Sequence, residues 1–133
     1  MNAKDTCLLE ARAILKSSSL ARRHGTLQQS LNAATYLSGN LREYAELGLS
    51  INAATRFEEA SVLWELSEVT PSVNILRDLC DRKDLEKQSI PVNRAVVLAQ
   101  LVSKSASLVG TSTYNLVGTS GGFGETGEVC RRD

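Results

Sequence analysis

Apolar residues recur along the first 107 positions at helical spacing, and nowhere there at the spacing of two that a half-buried strand needs. Over residues 5–23 the apolar or small positions are Cys7, Ala11, Ile14, Leu15, Ser18 and Ala21, and Gly25 supplies a C-terminal stop. Thr26 with Gln29 three residues on has the spacing of a capping box, and Leu27, Leu31, Ala34 and Leu37 give the second helix its face. Gly39-Asn40 ends it. A third, longer helix is predicted over residues 41–67. One stripe is Tyr44, Leu47, Ile51 and Ala54, and the other is Ala53, Phe57, Ala60 and Trp64. Two stripes predict packing on two sides, and Gly48 marks the place where this helix would bend or break. Thr70-Pro71 predicts an N-cap followed by proline at the first helical position of a fourth helix, with Val73, Leu76 and Cys80 inward. A polar loop at 84–89 follows. Ile90-Pro91 then opens a fifth helix whose inward face is Val92, Val96, Ala99 and Val102.

Short connections and small residues such as Ala33, Ala34, Ala53, Ala54 and Ala60 let helix backbones approach closely. The expected fold is therefore all-α. Antiparallel helix pairs stack as a short, tetratricopeptide-like α-solenoid over residues 5–107, although no exact tetratricopeptide consensus is present. Composition changes after that. Six of the nine glycines fall between positions 110 and 127, and Leu108-Val109-Gly110-Thr111-Ser112 recurs as Leu116-Val117-Gly118-Thr119-Ser120. Residues 108–133 are expected to form a flexible, disordered tail.

Composition narrows the chemistry. Of 133 residues, 42% are hydrophobic and 23% charged, the balance of a chain that buries a core. Fifteen cations offset fifteen anions, which removes the electrostatic reason to expect a nucleic-acid or membrane-surface binder. There is one histidine, His24, and Cys7, Cys80 and Cys130 are too scattered for a zinc site or a disulfide framework. No apolar run is long enough to span a bilayer, and the N-terminus lacks a signal peptide's apolar segment. The address expected from these features alone is cytoplasmic or nuclear.

Each candidate for chemistry has a plainer account. Gly121-Gly122-Phe123-Gly124-Glu125-Thr126-Gly127 lacks the lysine, the preceding strand and the following helix of a phosphate loop. Arg22-Arg23-His24 belongs to a basic N-terminal segment, with Lys4, Arg12 and Lys16 against Asp5 and Glu10. The third helix is acidic by contrast; two mutually attracting solvated faces account for both, with a partner-binding patch as the alternative. His24 is expected as a C-terminal helix cap. Glu58-Glu59 and Asp78/Asp81 read as solvated carboxylates, and Trp64 as core. Asp81-Arg82-Lys83-Asp84 has the look of part of a kinase catalytic loop without the glycine-rich loop or D-F-G that would accompany it. No catalytic, cofactor-binding or metal-binding residue is expected, and no cofactor.

Three stretches carry a family resemblance. The run from Leu20-Ala21-Arg22-Arg23-His24-Gly25 through Gln29-Ser30-Leu31-Asn32-Ala33-Ala34 resembles the "L-A-R-x-x-G-x-x-Q-x-A-L-x-A" unit of a helical region. That region is the FAT region of ATM/Tel1-type phosphatidylinositol-3-kinase-related protein kinases. Phe57-Glu58-Glu59-Ala60-Ser61-Val62-Leu63-Trp64, followed by Val73-Asn74-Ile75-Leu76, resembles its "E-x-A-x-x-L-W … S-I-x-x-L" unit, and Lys87-Gln88-Ser89-Ile90-Pro91-Val92 is similar to the continuation in fungal members. The resemblance covers roughly residues 7 to 103 and implies a non-catalytic scaffold segment of a much larger parent. It further implies a serine/threonine kinase of double-strand-break signalling and telomere maintenance, in the nucleus. The implied partners are the parent's kinase domain and neighbouring helical repeats, which the segment would clasp and restrain, with self-association through apolar faces left bare. No nucleic acid or membrane partner is implied, and no catalytic residue carries over. The alternative on the residues alone is a free-standing tetratricopeptide-like adaptor that binds a partner protein; a small enzyme is a third.

Overall fold

Where each helix stops is the first thing backbone chemistry decides here. In the computed structural model, which describes residues 2–118, α1 is Ala3–Arg23, α2 Leu27–Gly39, α3 Leu41–Glu46, α4 Asn52–Glu65, α5 Val69–Cys80 and α6 Arg94–Gly118. A 3-10 turn, Leu85–Lys87, lies before α6, and no strand occurs among the described residues. Three of the helices end in the same hydrogen-bonded motif, in which a residue at positive φ turns the chain and two successive N–H groups return to the last turn. After α1 the turning residue is Gly25 (φ 80°), with Gly25 N–H on Arg22 O and Thr26 N–H on Ala21 O at 3.2 and 2.9 Å. After α3 it is Gly48 (φ 81°), with bonds to Ala45 O and Tyr44 O, both 2.9 Å. After α4 it is Ser67 (φ 67°), bonding to Trp64 O at 3.1 Å while Glu68 bonds to Leu63 O at 2.8 Å.

The Gly48 motif corrects the expectation of one helix over 41–67. The chain is broken into α3 and α4, and this rotates the two predicted stripes out of register. Tyr44 and Ile51 are buried, but Leu47 is exposed. The helix starts differ as well. Asn2 caps α1, its side chain accepting from Asp5 N–H at 2.9 Å. Thr26 does precede α2, but it forms no capping box: its hydroxyl donates back to Ala21 O at 2.9 Å, because the α1 turn holds it there. α5 begins at Val69 with Glu68 before it, so Thr70 is not its N-cap and Pro71 is its third residue. Proline is tolerated there because the first turn's N–H groups have no intrahelical acceptor.

The chain divides into two units, residues 1–98 and 99–133, with the boundary inside α6. In the first, the three-residue connections after α1 and α4 make α1/α2 and α4/α5 antiparallel pairs, and α2 packs on α4. One cluster gathers Ala11, Leu37, Tyr44, Leu49 and Ile51, with Cys7, Leu8, Ile14, Leu15, Leu41 and Ile90 against it. α4 also packs on α5, where Ser72 Oγ donates to Ala60 O at 2.6 Å; Ala60 and Val62 of α4 and Val73, Leu76 and Leu79 of α5 are buried. This is the stacked-pair, all-α architecture that the small residues predict. Phe57 and Trp64 are half-buried rather than fully enclosed, and Val62, outside both predicted stripes, takes the interior place.

The loop after α5 is not merely polar: Leu85 is fully buried. Residues 89–92 form no helix, since Ser89 N–H bonds Ser50 O at 2.9 Å and Val92 N–H bonds Leu85 O at 3.0 Å. α6 therefore starts later, at Arg94, where Asn93 Oδ1 accepts Ala95 N–H at 2.8 Å. Val97 is its buried residue, while Val96 and Val102 are exposed, which corrects the predicted face. In the second unit α6 continues to Gly118, ten residues past the composition change at Leu108. Residues 119–133, with the glycine run Gly121 to Gly127 and Cys130, lie outside the described residues.

Candidate functional site

One carboxylate that its sequence context sets on the surface, Glu58, lies where the helices meet. α4 packs against both α1 and α2. On that packed side of α4, Glu58 is carried inward. It is 8% exposed, which corrects its assignment to a solvated face. A buried carboxylate is costly unless it is paired and fully hydrogen-bonded. Here α1 supplies the partners. Ser18 Oγ donates to Glu58 Oε2 at 2.7 Å, and Arg22 donates from Nε to Oε2 at 3.3 Å and from Nη2 to Oε1 at 3.2 Å. Ser18 has one proton, which it gives to Glu58, so it accepts from the Ser30 hydroxyl of α2 at 2.9 Å. Ser18 and Ser30 are both fully buried. The chain Ser30, Ser18, Glu58, Arg22 thus ties three helices in one register. The spacing of Ser18 on the inward stripe and Arg22 one turn later was the sequence signal for it; the missing information was which acid they meet.

A second polar cluster fastens the stretch between α5 and α6. Arg82 grips Asp84 with two bonds, Nε to Oδ1 at 2.9 Å and Nη2 to Oδ2 at 2.7 Å, and its Nη1 reaches Asn52 at the start of α4. The hydrogen bond from Arg82 holds the Asp84 carboxyl below the ordinary carboxylate range, and that same bond raises the Arg82 guanidinium. Gln88 bridges, its Nε2 donating to Asp84 Oδ2 at 2.9 Å while its Oε1 accepts Ala53 N–H at 3.2 Å. Ser89 Oγ accepts Ser50 N–H at 2.9 Å. Ile51, before α4, provides no side-chain cap, so Gln88 performs that office from 35 residues away. At the other end Arg94 donates from Nη1 to Cys80 O at 2.5 Å and from Nη2 to Arg82 O, closing the C-terminus of α5.

The remaining candidates stay apart. Tyr44 is buried and donates to Glu10 Oε1 at 2.8 Å; burial first, then that bond, pushes its hydroxyl well above the usual tyrosine range. His24 stands at the C-terminal cap of α1 and is exposed, Glu59 pairs with Arg56 at 2.9 Å, and Asp78 and Asp81 are exposed on and after α5. Among the described residues no three His, Cys, Asp or Glu side chains gather as a metal would require, and no helix is long and apolar enough to cross a membrane. Cys7 and Cys80 are free thiols.

Stacked antiparallel helix pairs, locked by a buried polar chain and by caps drawn from distant sequence, define the described residues as an all-α repeat frame. The proteins it matches are the Tel1 serine/threonine kinases. It is 45% identical over 97 residues to serine/threonine-protein kinase tel1 of Emericella nidulans, a match covering 73% of this chain and 4% of that protein. It is 42% identical over 99 residues to tel1 of Aspergillus oryzae and 35% over 94 residues to that of Neurospora crassa. Among solved structures, the open conformation of CtTel1 superposes with a TM-score of 0.78 at 31% identity, over 81% of this chain and 4% of that one. The complete CtTel1 dimer with C2 symmetry matches equally, with a TM-score of 0.78. No protein-family model matches. The resemblance to ATM/Tel1-type kinases therefore holds in sequence and in fold, for a segment spanning 3–4% of the length of the curated relatives it matches.

Proposed function

We propose that this chain is a non-catalytic scaffold segment from the FAT region of a Tel1-like serine/threonine kinase. In this reading the parent acts in the nucleus, in double-strand-break signalling and telomere maintenance, and the segment's partners are the parent's kinase domain and adjacent helical repeats. The observation that carries it is the agreement with CtTel1, a TM-score of 0.78 with 31% identity over 81% of the chain. The physical role is conformational. A frame whose helices are locked by buried polar contacts has few alternative packings, so it can hold a neighbouring catalytic domain in one arrangement and release it only as a unit.

A chimera tests this. The matching segment of the Emericella nidulans kinase is replaced by this chain, and kinase activity and survival after double-strand breaks are measured. Retention of both is expected. A full-length, soluble chimera with neither would overturn the proposal. Reading the transcript on either side of the coding segment separates it from the adaptor alternative, since the kinase reading requires further helical repeats and a catalytic domain in frame.

A further inference from the structure

We infer that the groove between α1 and α2 is a docking surface for an amphipathic helix with acidic flanks. The groove, about 510 Å³, is lined by Ala13, Ile14 and Ser17 of α1 and by Asn32, Ala33 and Tyr36 of α2. Its floor is made of small and apolar side chains, and Tyr36 beside it is 49% exposed. Leu9 and Leu20, also exposed, extend the apolar strip along α1 by helical spacing.

Charge selects the occupant. Beyond that strip α1 presents Arg12, Lys16 and Arg23, all exposed, and none has an ion-pair partner among the described residues. The carboxylates of α1 are Asp5, near its N-terminus, and Glu10, which accepts from Tyr44. The other wall, α2, carries no charged residue at all. An apolar trough with cations along one bank and neutral amides along the other favours a helix that brings carboxylates to that bank. The molecule contains the precedent. α4 packs on the same helix pair and presents Glu58 to Ser18 and Arg22 of α1. The outer groove offers the same chemistry again, small residues beside cations, without an acid to meet them. The inference does not rest on the kinase assignment, because the groove is built from α1 and α2 alone.

The full chain, isotope-labelled, is titrated with two synthetic 16-residue helical peptides that share an Ala/Leu face. One is flanked by glutamates and the other by lysines. The glutamate peptide is expected to shift the amides of residues 13–17 and 32–36, and the lysine peptide to bind about tenfold more weakly or not at all. The double variant Arg12→Glu, Lys16→Glu should reverse that preference, and Ala33→Arg should abolish binding of both while helical circular dichroism is unchanged. Binding blind to peptide charge, or shifts confined elsewhere, would overturn the inference. So would dimerisation of the chain alone that Ala33→Arg abolishes, which would give the groove to a second copy.

Discussion

Two arginine–carboxylate pairs show how differently one chemical unit serves this chain. Arg22–Glu58 joins residues 36 positions apart, with side chains 24% and 11% exposed. Arg82–Asp84 joins residues two apart, with side chains 29% and 47% exposed, and its geometry is the better of the two, bidentate at 2.7 and 2.9 Å. Geometry alone does not rank them. Glu58 has given up water and depends on Ser18 and Arg22 for every bond it makes, so losing it strands Arg22, Ser18 and Ser30 together. Asp84 keeps water on one side and can exchange protein partners for solvent. The first pair specifies how α1, α2 and α4 fit; the second trims a loop so that Gln88 and Arg94 can reach the ends of α4 and α5.

The difference is measurable, and the largest effect belongs to the buried node. Glu58→Ala is expected to cost about 3 kcal/mol in chemical denaturation, the scale for removing one partner of a buried pair. A loss below about 1 kcal/mol would place Glu58 with surface pairs. In the loop cluster, Gln88→Ala should cost about 1 kcal/mol, the value of a helix N-cap, although Gln88 lies outside the helix it caps. Accelerated amide exchange confined to the first turn of α4 is the accompanying sign. A stabilising change tests the turn between the α4/α5 pair. Ser67→Gly should raise stability by about 0.5–1 kcal/mol, because Ser67 holds the positive φ that Gly25 and Gly48 hold without strain. A drop in melting temperature would mean that the Ser67 side chain contributes more than its backbone costs.

The smallest effect is the response of Asp84 to acid. Its folded pKa lies below its unfolded value, so its contribution to stability is complete above the unfolded carboxylate range near about pH 4 and fades as pH falls through the folded value. A carboxyl titration by nuclear magnetic resonance should give Asp84 a midpoint below that of a model aspartate. In Arg82→Ala the midpoint should return toward the ordinary value.

Much of the fold was legible in the chain. Helical periodicity, the Gly25 stop, the break after Gly39 and the inward placement of Ala34, Leu37, Ile51, Ala60 and Leu76 all follow from local rules, because backbone sterics and amphipathic faces act within one or two turns. The helix starts at Thr26 and Thr70 were harder. Each has good capping chemistry, yet the turn before it had already committed the backbone, so Thr26 bonds backwards and Thr70 lies inside α5. At the buried junction a glutamate on a helix gives no local sign of which way it points. Glu58 and Glu59 are adjacent in sequence, and one is buried against Ser18 while the other is partly exposed and pairs with Arg56 of its own helix. Local rules along the chain account for the helical repeat, its main breaks and its resemblance to Tel1 kinases. The partner of every long-range polar group, from Glu58 to Gln88 to Arg94, is settled only once the helices pack. The physical reason is range: periodicity is set by neighbours along the chain, whereas the desolvation of a charge is set by helices that arrive from 30 or more positions away.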